Sequence, residues 1–180
     1  MHRQTILELL TRYQKETPSE AEVTTRFIGF VTANPGCFER SLAIGHVTGS
    51  AWVVNEAGTH VLLTHHKKLN KWFQLGGHAD GESDILKAAL TEVDEESGLA
   101  SYEPISTEIF DIDIHAIPAR KEEPEHYHYD VRFAVRSTGG DDYVVSEESH
   151  DLSWVEIAKL AEYTQEESML RMGRKWLAGS

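Results

Sequence analysis

Cysteine is nearly absent from this sequence, which has one, Cys37, in 180 residues. A single cysteine forms neither an internal disulfide nor a cysteine zinc site, and it fits a reducing compartment, so we expect a cytoplasmic protein. Long apolar runs are missing too, since nothing approaches the roughly 18 residues that a membrane span needs. Residues 1–16 are interrupted by charges and lack the pattern of a signal peptide. We therefore expect no membrane partner.

Basic residues are also scarce, with 17 lysines and arginines against 30 aspartates and glutamates, a net charge of -13. Binding of long nucleic acids depends largely on neutralising phosphates, so this composition argues against such a partner. A small phosphate compound stays open, because a bound divalent cation reverses the local charge. The length suits one domain with a core of ordinary size.

The first 40 residues have the periodicity of helices. An amphipathic helix is predicted over 3–15, and "TPSE" at 17–20 has the Thr-x-x-Glu pattern of a capping box, with Pro18 at the first position of a second helix that runs to about residue 32. We expect residues 1–40 to form a helical extension of a domain of residues 41–180, which packs on that domain or forms a homodimer contact; a catalytic role is the alternative.

The remainder alternates strands and helices. A hairpin is predicted from residues 49–54 and 59–65 with a turn at 55–58, and "KWFQLGGH" predicts a short strand that runs into a glycine loop. After a helix over 84–97, alternating strands are predicted in 108–117 and 126–135, and helices over 153–163 and 165–177. Strands on both sides of a central helix indicate a mixed α/β layered domain.

The central helix carries three glutamates, Glu92, Glu95 and Glu96, at positions i, i+3 and i+4. Ser83 is the expected N-cap and Gly98 the expected end, and one apolar stripe should face the core: Leu86, Leu90 and Val93. Like charges at this spacing repel, so the arrangement is unfavourable unless a cation lies among them. Three carboxylates suit magnesium or manganese, whereas the alternative is a solvated acidic face.

The stretch "GGHADGESDILKAALTEVDEESGL", residues 76–99, resembles the Nudix motif. Seven residues fall in register: Gly77, Glu92, Val93, Glu95, Glu96, Gly98 and Leu99. Two positions depart, since Ser83 stands at the first motif glutamate, with Glu82 one residue early, and Thr91 stands at the motif arginine, which in the family braces the motif's carboxylates.

The resemblance implies a Nudix-type α/β/α sandwich with a mixed sheet, preceded here by the N-terminal helices. It also implies a hydrolase that uses Mg²⁺ or Mn²⁺ to cleave a pyrophosphate bond in a nucleoside diphosphate linked to another moiety. Two other functions stay open. Because Thr91 and Ser83 depart from the motif, a non-catalytic nucleotide-binding module is one alternative. The other is a related isopentenyl diphosphate isomerase, which uses an active-site cysteine; it is disfavoured because Cys37 lies outside any matching motif.

The resemblance also implies roles for individual residues. Glu95 and Glu96 correspond to metal ligands, and Glu92 to a ligand or general base, so all three are expected to be catalytic. The carbonyl near Gly77 is a further expected ligand. Residues 146–154, "SEESHDLSW", lie where the family supplies one more carboxylate, so Glu148 (or its neighbour Glu147) is added to the expected metal ligands.

Several residues around the motif are expected to contact a small nucleotide substrate: Lys67, Trp72, His78, His126, His128 and Arg132. Lys67 belongs to a basic group with Lys68 and Lys71 that either attracts phosphate or is a solvated loop. Trp72 either stacks on a base or is buried. His78 is either a phosphate contact or a plain loop residue.

The two alternating strands place polar side chains on one face. His126, His128, Asp130 and Arg132 alternate with Tyr127, Tyr129, Val131 and Phe133, and the preceding strand puts Asp111, Asp113 and His115 on one face. If the strands pair as a hairpin, His115 lies near His126 or His128. This patch is interpreted as a second metal site or a substrate site, with a hydrated sheet face as the alternative.

Overall fold

The computed structural model describes residues 2–67, 70–120, 124–145 and 149–179. Four α-helices are present in these ranges: α1 (Gln4–Glu16), α2 (Ala21–Ala33), α3 (Ile85–Ser97) and α4 (Glu167–Gly179). Eight strands accompany them: β1 (Gly45–Val54), β2 (His60–His66), β3 (Lys71–Phe73), β4 (Leu75–His78), β5 (Tyr102–Pro104), β6 (Asp111–Ile117), β7 (His126–Ser137) and β8 (Ser149–Glu156). Two 3₁₀ helices cover Pro18–Glu20 and Ile157–Glu162.

All eight strands belong to one mixed sheet with the central order β3-β2-β1-β7-β5. Strands β1 and β7 run parallel, and the other pairs are antiparallel, with β4 on β1, β6 on β7 and β8 on β2. Strand β1 therefore carries β7 and β4 beside the same residues: Thr48 is opposite Asp130 on one side and His78 on the other. This branching brings residues distant in sequence to one end of the sheet.

Helices cover both faces of the sheet. On one face, α1, α2 and α3 share an apolar core with alternate residues of β1 and β7, among them Val47, Val131 and Phe133. On the other face, Trp52, Leu63 and Val155 pack against α4 and the second 3₁₀ helix. Because period-2 alternation assigns each strand residue to one face, the polar residues of β1 and β7 lie on the second face.

The structure departs from the sequence-based prediction at three elements. The predicted helix over 153–163 is wrong, because its first part continues β8, which pairs with β2, and only residues 157–162 are helical. The predicted glycine loop is strand β4. The capping box at Thr17 does not form, because Glu20 instead accepts a hydrogen bond from Tyr13 and pairs with Lys175.

No helix among these described residues combines the length and the apolar run that crossing a bilayer requires. The first two helices and the sheet share one core. The domain division at residue 40, the homodimer contact and the cytoplasmic location stay predictions.

Candidate active site

Helix α3 is fixed at both ends and along one side. Its N-cap is Asp84, whose Oδ1 accepts from the backbone N–H of Lys87 at 3.1 Å, so the prediction of Ser83 was one residue early. Gly98 ends the helix with a φ of 61°, a left-handed conformation that favours glycine. The fully packed side consists of Ile85, Ala88, Ala89, Val93 and Ser97, whereas the predicted stripe members Leu86 and Leu90 are half-buried.

The packed side turns two of the three glutamates towards strand β4. A methyl group at position 77 would lie 2.5 Å from the carboxyl carbon of Glu92, so Glu92 occupies the space that only glycine leaves there. The backbone N–H of Gly76 donates to Oε2 of Glu96 at 3.2 Å. Glu95, one position away around the helix, is exposed. The structure thus brings together Glu92, Glu96 and the glycine strand.

Glycine also sets how closely α3 approaches the sheet. A Cβ atom at Gly49 of β1 would lie 3.0 Å from both the Ala89 nitrogen and the Ile85 oxygen, tighter than ordinary van der Waals contact. Gly49 pairs with Gly77 across β1 and β4. The two glycines therefore form a smooth patch against which the helix and its glutamates lie.

The two positions that depart from the motif are engaged locally. Thr91 is exposed and donates from Oγ1 to the carbonyl of Lys87 at 3.0 Å. Glu82 accepts from the Asp84 N–H at 3.0 Å and from Lys87 Nζ at 2.6 Å. The Lys87 ammonium and, to a smaller extent, the Asp84 amide hold the pKa of the Glu82 carboxyl below its usual range. Glu82 thus supports the start of α3 rather than joining Glu92.

The residues beside β4 fit a hard divalent cation. Carboxylates of Glu92 and Glu96, together with the backbone of Gly76 and Gly77, offer oxygen ligands, which magnesium and manganese prefer. The missing side chain at position 77 leaves the strand's backbone open towards the carboxylate. The predicted ligand Glu148 lies outside the described residues.

Five histidines gather on the opposite face of the sheet, around the end of β4: His46, His78, His115, His126 and His128. The ring of His46 lies 4.9 Å from those of His78 and His128, and 5.0 Å from that of His126, between ring centres. His115 pairs with His128 across the β6–β7 hairpin, as predicted, at 5.4 Å. Sequence reasoning missed His46, because only the parallel pairing of β1 with β7 brings it there.

The environment keeps two of these imidazoles neutral. Burial first, and then the neighbouring His78, lower the pKa of His46 from 6.5 to about 4. Burial and then His115 lower the pKa of His128 to about 2. Among the described residues, both ring nitrogens of His46 and Nε2 of His128 lack a hydrogen-bond partner.

Arg132, a predicted substrate residue, lies in a buried network of charged side chains. Its guanidinium is buried and bonds Asp130 at 2.7 Å and Asp111 at 3.1 Å. Burial alone would lower the pKa of Arg132, but the adjacent carboxylates raise it. Asp130 in turn accepts hydrogen bonds from Thr48 and Ser50. Arg132 is therefore held by this network, and its expected contact with substrate stays a prediction.

Lys67 and Trp72, the two remaining predicted substrate residues, lie outside the histidine cluster. Lys67 is exposed at the end of β2, and Lys68 lies outside the described residues. Lys71 forms an ion pair with Glu166. Trp72 is half-buried and stacks on His65 at 4.9 Å between ring centres. A cavity of about 450 Å³ lies elsewhere, beside Phe110 and Trp176, and none of the candidate site residues lines it.

Residues 45–175 match the model of the NUDIX domain. The chain belongs to the Nudix family. The match covers the glycine strand, the glutamate helix and the rest of the sheet, so the resemblance seen in the motif is confirmed, and with it a Nudix-type hydrolase. No curated protein sequence is significantly similar to this Nudix chain.

Solved structures support the fold. The dihydroneopterin triphosphate pyrophosphohydrolase of E. coli is similar, with a TM-score of 0.60 and 14% identity over 74% of this chain and 96% of that one. A MutT protein from Methanosarcina mazei Go1 has a TM-score of 0.56 and 19% identity over 77% and 96%. The Ap4A hydrolase of C. elegans, in a binary complex, has a TM-score of 0.54 and 19% identity over 74% and 98%. The predicted α/β fold class is confirmed.

Proposed function

We propose that this Nudix protein hydrolyses a pyrophosphate bond in a nucleoside diphosphate linked to another moiety, with Mg²⁺ or Mn²⁺ as cofactor. The observation that carries the proposal is the meeting of the Glu92 and Glu96 carboxylates with the glycines of β4. Family membership supports the class of reaction. An Ap4A hydrolase and a dihydroneopterin triphosphate pyrophosphohydrolase among the structural neighbours support a phosphoric anhydride as the bond class.

Charge explains why the glutamates need a cation for this reaction. A pyrophosphate is an anion and the chain has a net charge of -13, so glutamates alone would repel it. A divalent cation, when bound, supplies the positive charge that offsets charge on the phosphoryl oxygens during displacement. The chain's own contribution is to hold the carboxylates against β4, where the Gly76 N–H fixes one oxygen of Glu96.

The glutamates have different surroundings, and we assign their roles accordingly. Glu96 is half-buried and tied to β4, which suits a fixed metal ligand. Glu92 is half-buried against Gly77 and serves as ligand or general base. Glu95 is exposed and is proposed as a ligand that turns inward with the cation. Glu148 is retained as a proposed further ligand.

Substrate contacts are proposed around β4, both on the side of the glutamates and on the side of the histidine cluster. Lys67 is exposed on the chain segment that leads to β4, and its ammonium group suits phosphate. His126 is half-buried on the other side, with Nδ1 in contact with the carbonyl of Pro124 at 2.9 Å. Trp72 keeps an accessible part and is proposed as a contact for a base. His78 lies one residue from Gly77.

The test is a panel of nucleoside diphosphate derivatives, nucleoside triphosphates and dinucleoside polyphosphates incubated with magnesium or manganese, with products separated by chromatography. At least one compound should yield a mononucleotide, and chelation should stop the reaction. Glu96→Gln and Glu95→Gln should lower kcat/KM by more than about 100-fold, because even residues that only support metal ligands are worth about 10- to 100-fold. Asp94→Asn removes the same charge from the opposite side of α3 and should leave the rate unchanged.

A binding module without catalysis is the second candidate. It is favoured by Thr91, which stands at the position of the motif arginine and bonds its own helix instead of bracing the carboxylates. This function predicts nucleotide binding in calorimetry with no turnover of any panel member in either metal. Cleavage that depends on Glu96 would exclude it.

A further inference from the structure

We propose that His46, His78 and His128 form a binding site for a borderline transition metal such as Zn²⁺, separate from the glutamate site. One ligand nitrogen from each ring lies within 4.8 Å of the others. The three come from different strands, β1, β4 and β7, so the sheet itself holds them in place.

The geometry needs little change to hold an ion. Zinc binds histidine nitrogen at about 2.0–2.1 Å in tetrahedral geometry, so two nitrogens on one zinc lie about 3.3 Å apart. The nitrogens of the three rings are separated by at most 4.8 Å. A pair must therefore close by at most about 1.5 Å, which small rotations of the side chains supply.

The buried state of the rings also points to a ligand. His46 is 3% exposed, and both of its ring nitrogens lack a hydrogen-bond partner among the residues described. Nε2 of His128 also lacks a hydrogen-bond partner among these residues. Leaving buried polar atoms unsatisfied is unfavourable by about 1–3 kcal/mol each, so native proteins rarely do so without a reason. A metal ion satisfies a lone pair on each ring.

The chemistry of the donors selects the metal. Neutral imidazole suits Zn²⁺ and its neighbours in the first transition series, whereas Mg²⁺ prefers oxygen ligands. Three protein ligands leave a fourth position open.

A neighbouring pair of residues packs against one of the ligands. His115, which is not itself a ligand, lies 5.4 Å from His128 between ring centres and has Nδ1 3.0 Å from Oδ2 of Asp113. This pair fixes the His115 ring against His128. Asp113 is held by Arg132, at 3.6 Å. The buried charge network thus stabilises the floor of the histidine cluster.

The histidine site and the glutamate site lie on opposite faces of β4. Gly77 faces Glu92, and the next residue, His78, faces His46, as strand alternation requires. Each site therefore has its own ligands, of nitrogen in one and of oxygen in the other. The two can be loaded and tested independently.

The experiment titrates Zn²⁺ into the chelator-treated full chain by calorimetry, in excess Mg²⁺ to occupy the glutamate site. One equivalent should bind. His78→Ala and His128→Ala should each weaken binding by at least about 100-fold, since residues that only support ligands already contribute about 10- to 100-fold. His60→Ala is the matched control, because His60 is a half-buried strand histidine whose Nδ1 contacts Thr59 instead of the cluster.

A second readout and a second variant separate this proposal from the proposed hydrolase. Co²⁺ in place of Zn²⁺ should give the visible spectrum of a tetrahedral, nitrogen-ligated ion. The Glu96→Gln variant should keep its zinc affinity although it loses hydrolysis. Absence of a bound equivalent, unchanged affinity in His78→Ala, or loss of zinc affinity in Glu96→Gln would each overturn the histidine site without bearing on pyrophosphate cleavage.

Discussion

Replacing Gly77 by alanine tests whether the glycine strand positions Glu92. Gly77 has no left-handed backbone, so alanine adopts its conformation without strain. Its Cβ would lie 2.5 Å from the Glu92 carboxyl carbon, about 0.9 Å short of the 3.4 Å at which ordinary contact begins. The carboxyl group must therefore move by roughly 1 Å.

A misplacement of about 1 Å in an active site lowers the rate by about 100-fold, which corresponds to about 2.7 kcal/mol in the activation barrier. We expect kcat/KM of Gly77→Ala to fall by about that factor. Stability should change by less than about 1 kcal/mol, because the Glu92 side chain is flexible and half-buried, and because alanine restricts the unfolded chain.

The assay follows product release from the compound that the panel identifies, in saturating magnesium, alongside chemical denaturation. Gly36→Ala is the matched control, since a Cβ there meets no described atom within 4 Å, and it should keep the wild-type rate. A folded Gly77→Ala protein with wild-type kcat/KM would refute the placement of Glu92 in the reaction.

Three further predictions concern stability. Asp111→Asn should lower the free energy of unfolding by about 3–5 kcal/mol in urea titration, because Asp111 is fully buried and neutralises Arg132, Arg171 and Lys175; retention of wild-type stability would refute the network. Gly98→Ala should reduce the free energy of unfolding by about 1–2 kcal/mol, because alanine is strained at the left-handed φ and its Cβ would meet Val144. No loss of stability would contradict this end of α3. In chelator-treated protein, the free energy of unfolding should fall between pH 6.5 and about 4, because the unfolded chain takes up protons that buried His46 and His128 resist. His46 alone contributes up to about 3 kcal/mol of this fall and His128 adds to it; a flat profile would contradict the burial.

Local patterns gave most of the helices and the hairpins. The predicted helices over 3–15 and 84–97 agree with α1 and α3 to within one residue at each end, because an apolar stripe acts within the helix itself and, in α3, Gly98 marks the end. The β6–β7 hairpin and its register were also accessible, since alternation fixes which side chains face each other.

Tertiary pairing decided what the sequence did not reveal. Residues 153–156 have apolar residues at spacings that suit a helix or a strand, and pairing with β2 selects the strand. Because glycines are poor strand formers, residues 76–78 were predicted as a loop. In the structure they form part of β4, and the close packing of Ser50 and Glu92 against this strand leaves room only for glycine at positions 76 and 77. Only the parallel β1–β7 pair places His46 beside His128.

The glutamates themselves were found by spacing, but their surroundings were not. The i, i+3, i+4 pattern indicates a shared side of a helix, and the structure adds that Glu92 and Glu96, rather than Glu95, meet the glycine strand. The ion pairs of Arg132 could not be predicted from the sequence alone, because Asp111 reaches it from the paired strand β6.

The most direct test of the central claim is anomalous diffraction at the manganese edge from crystals of the full chain soaked in Mn²⁺. The account predicts a manganese peak between the carboxylates of Glu92 and Glu96, next to the backbone of Gly77. Well-diffracting crystals with both side chains ordered and no manganese near them would contradict it.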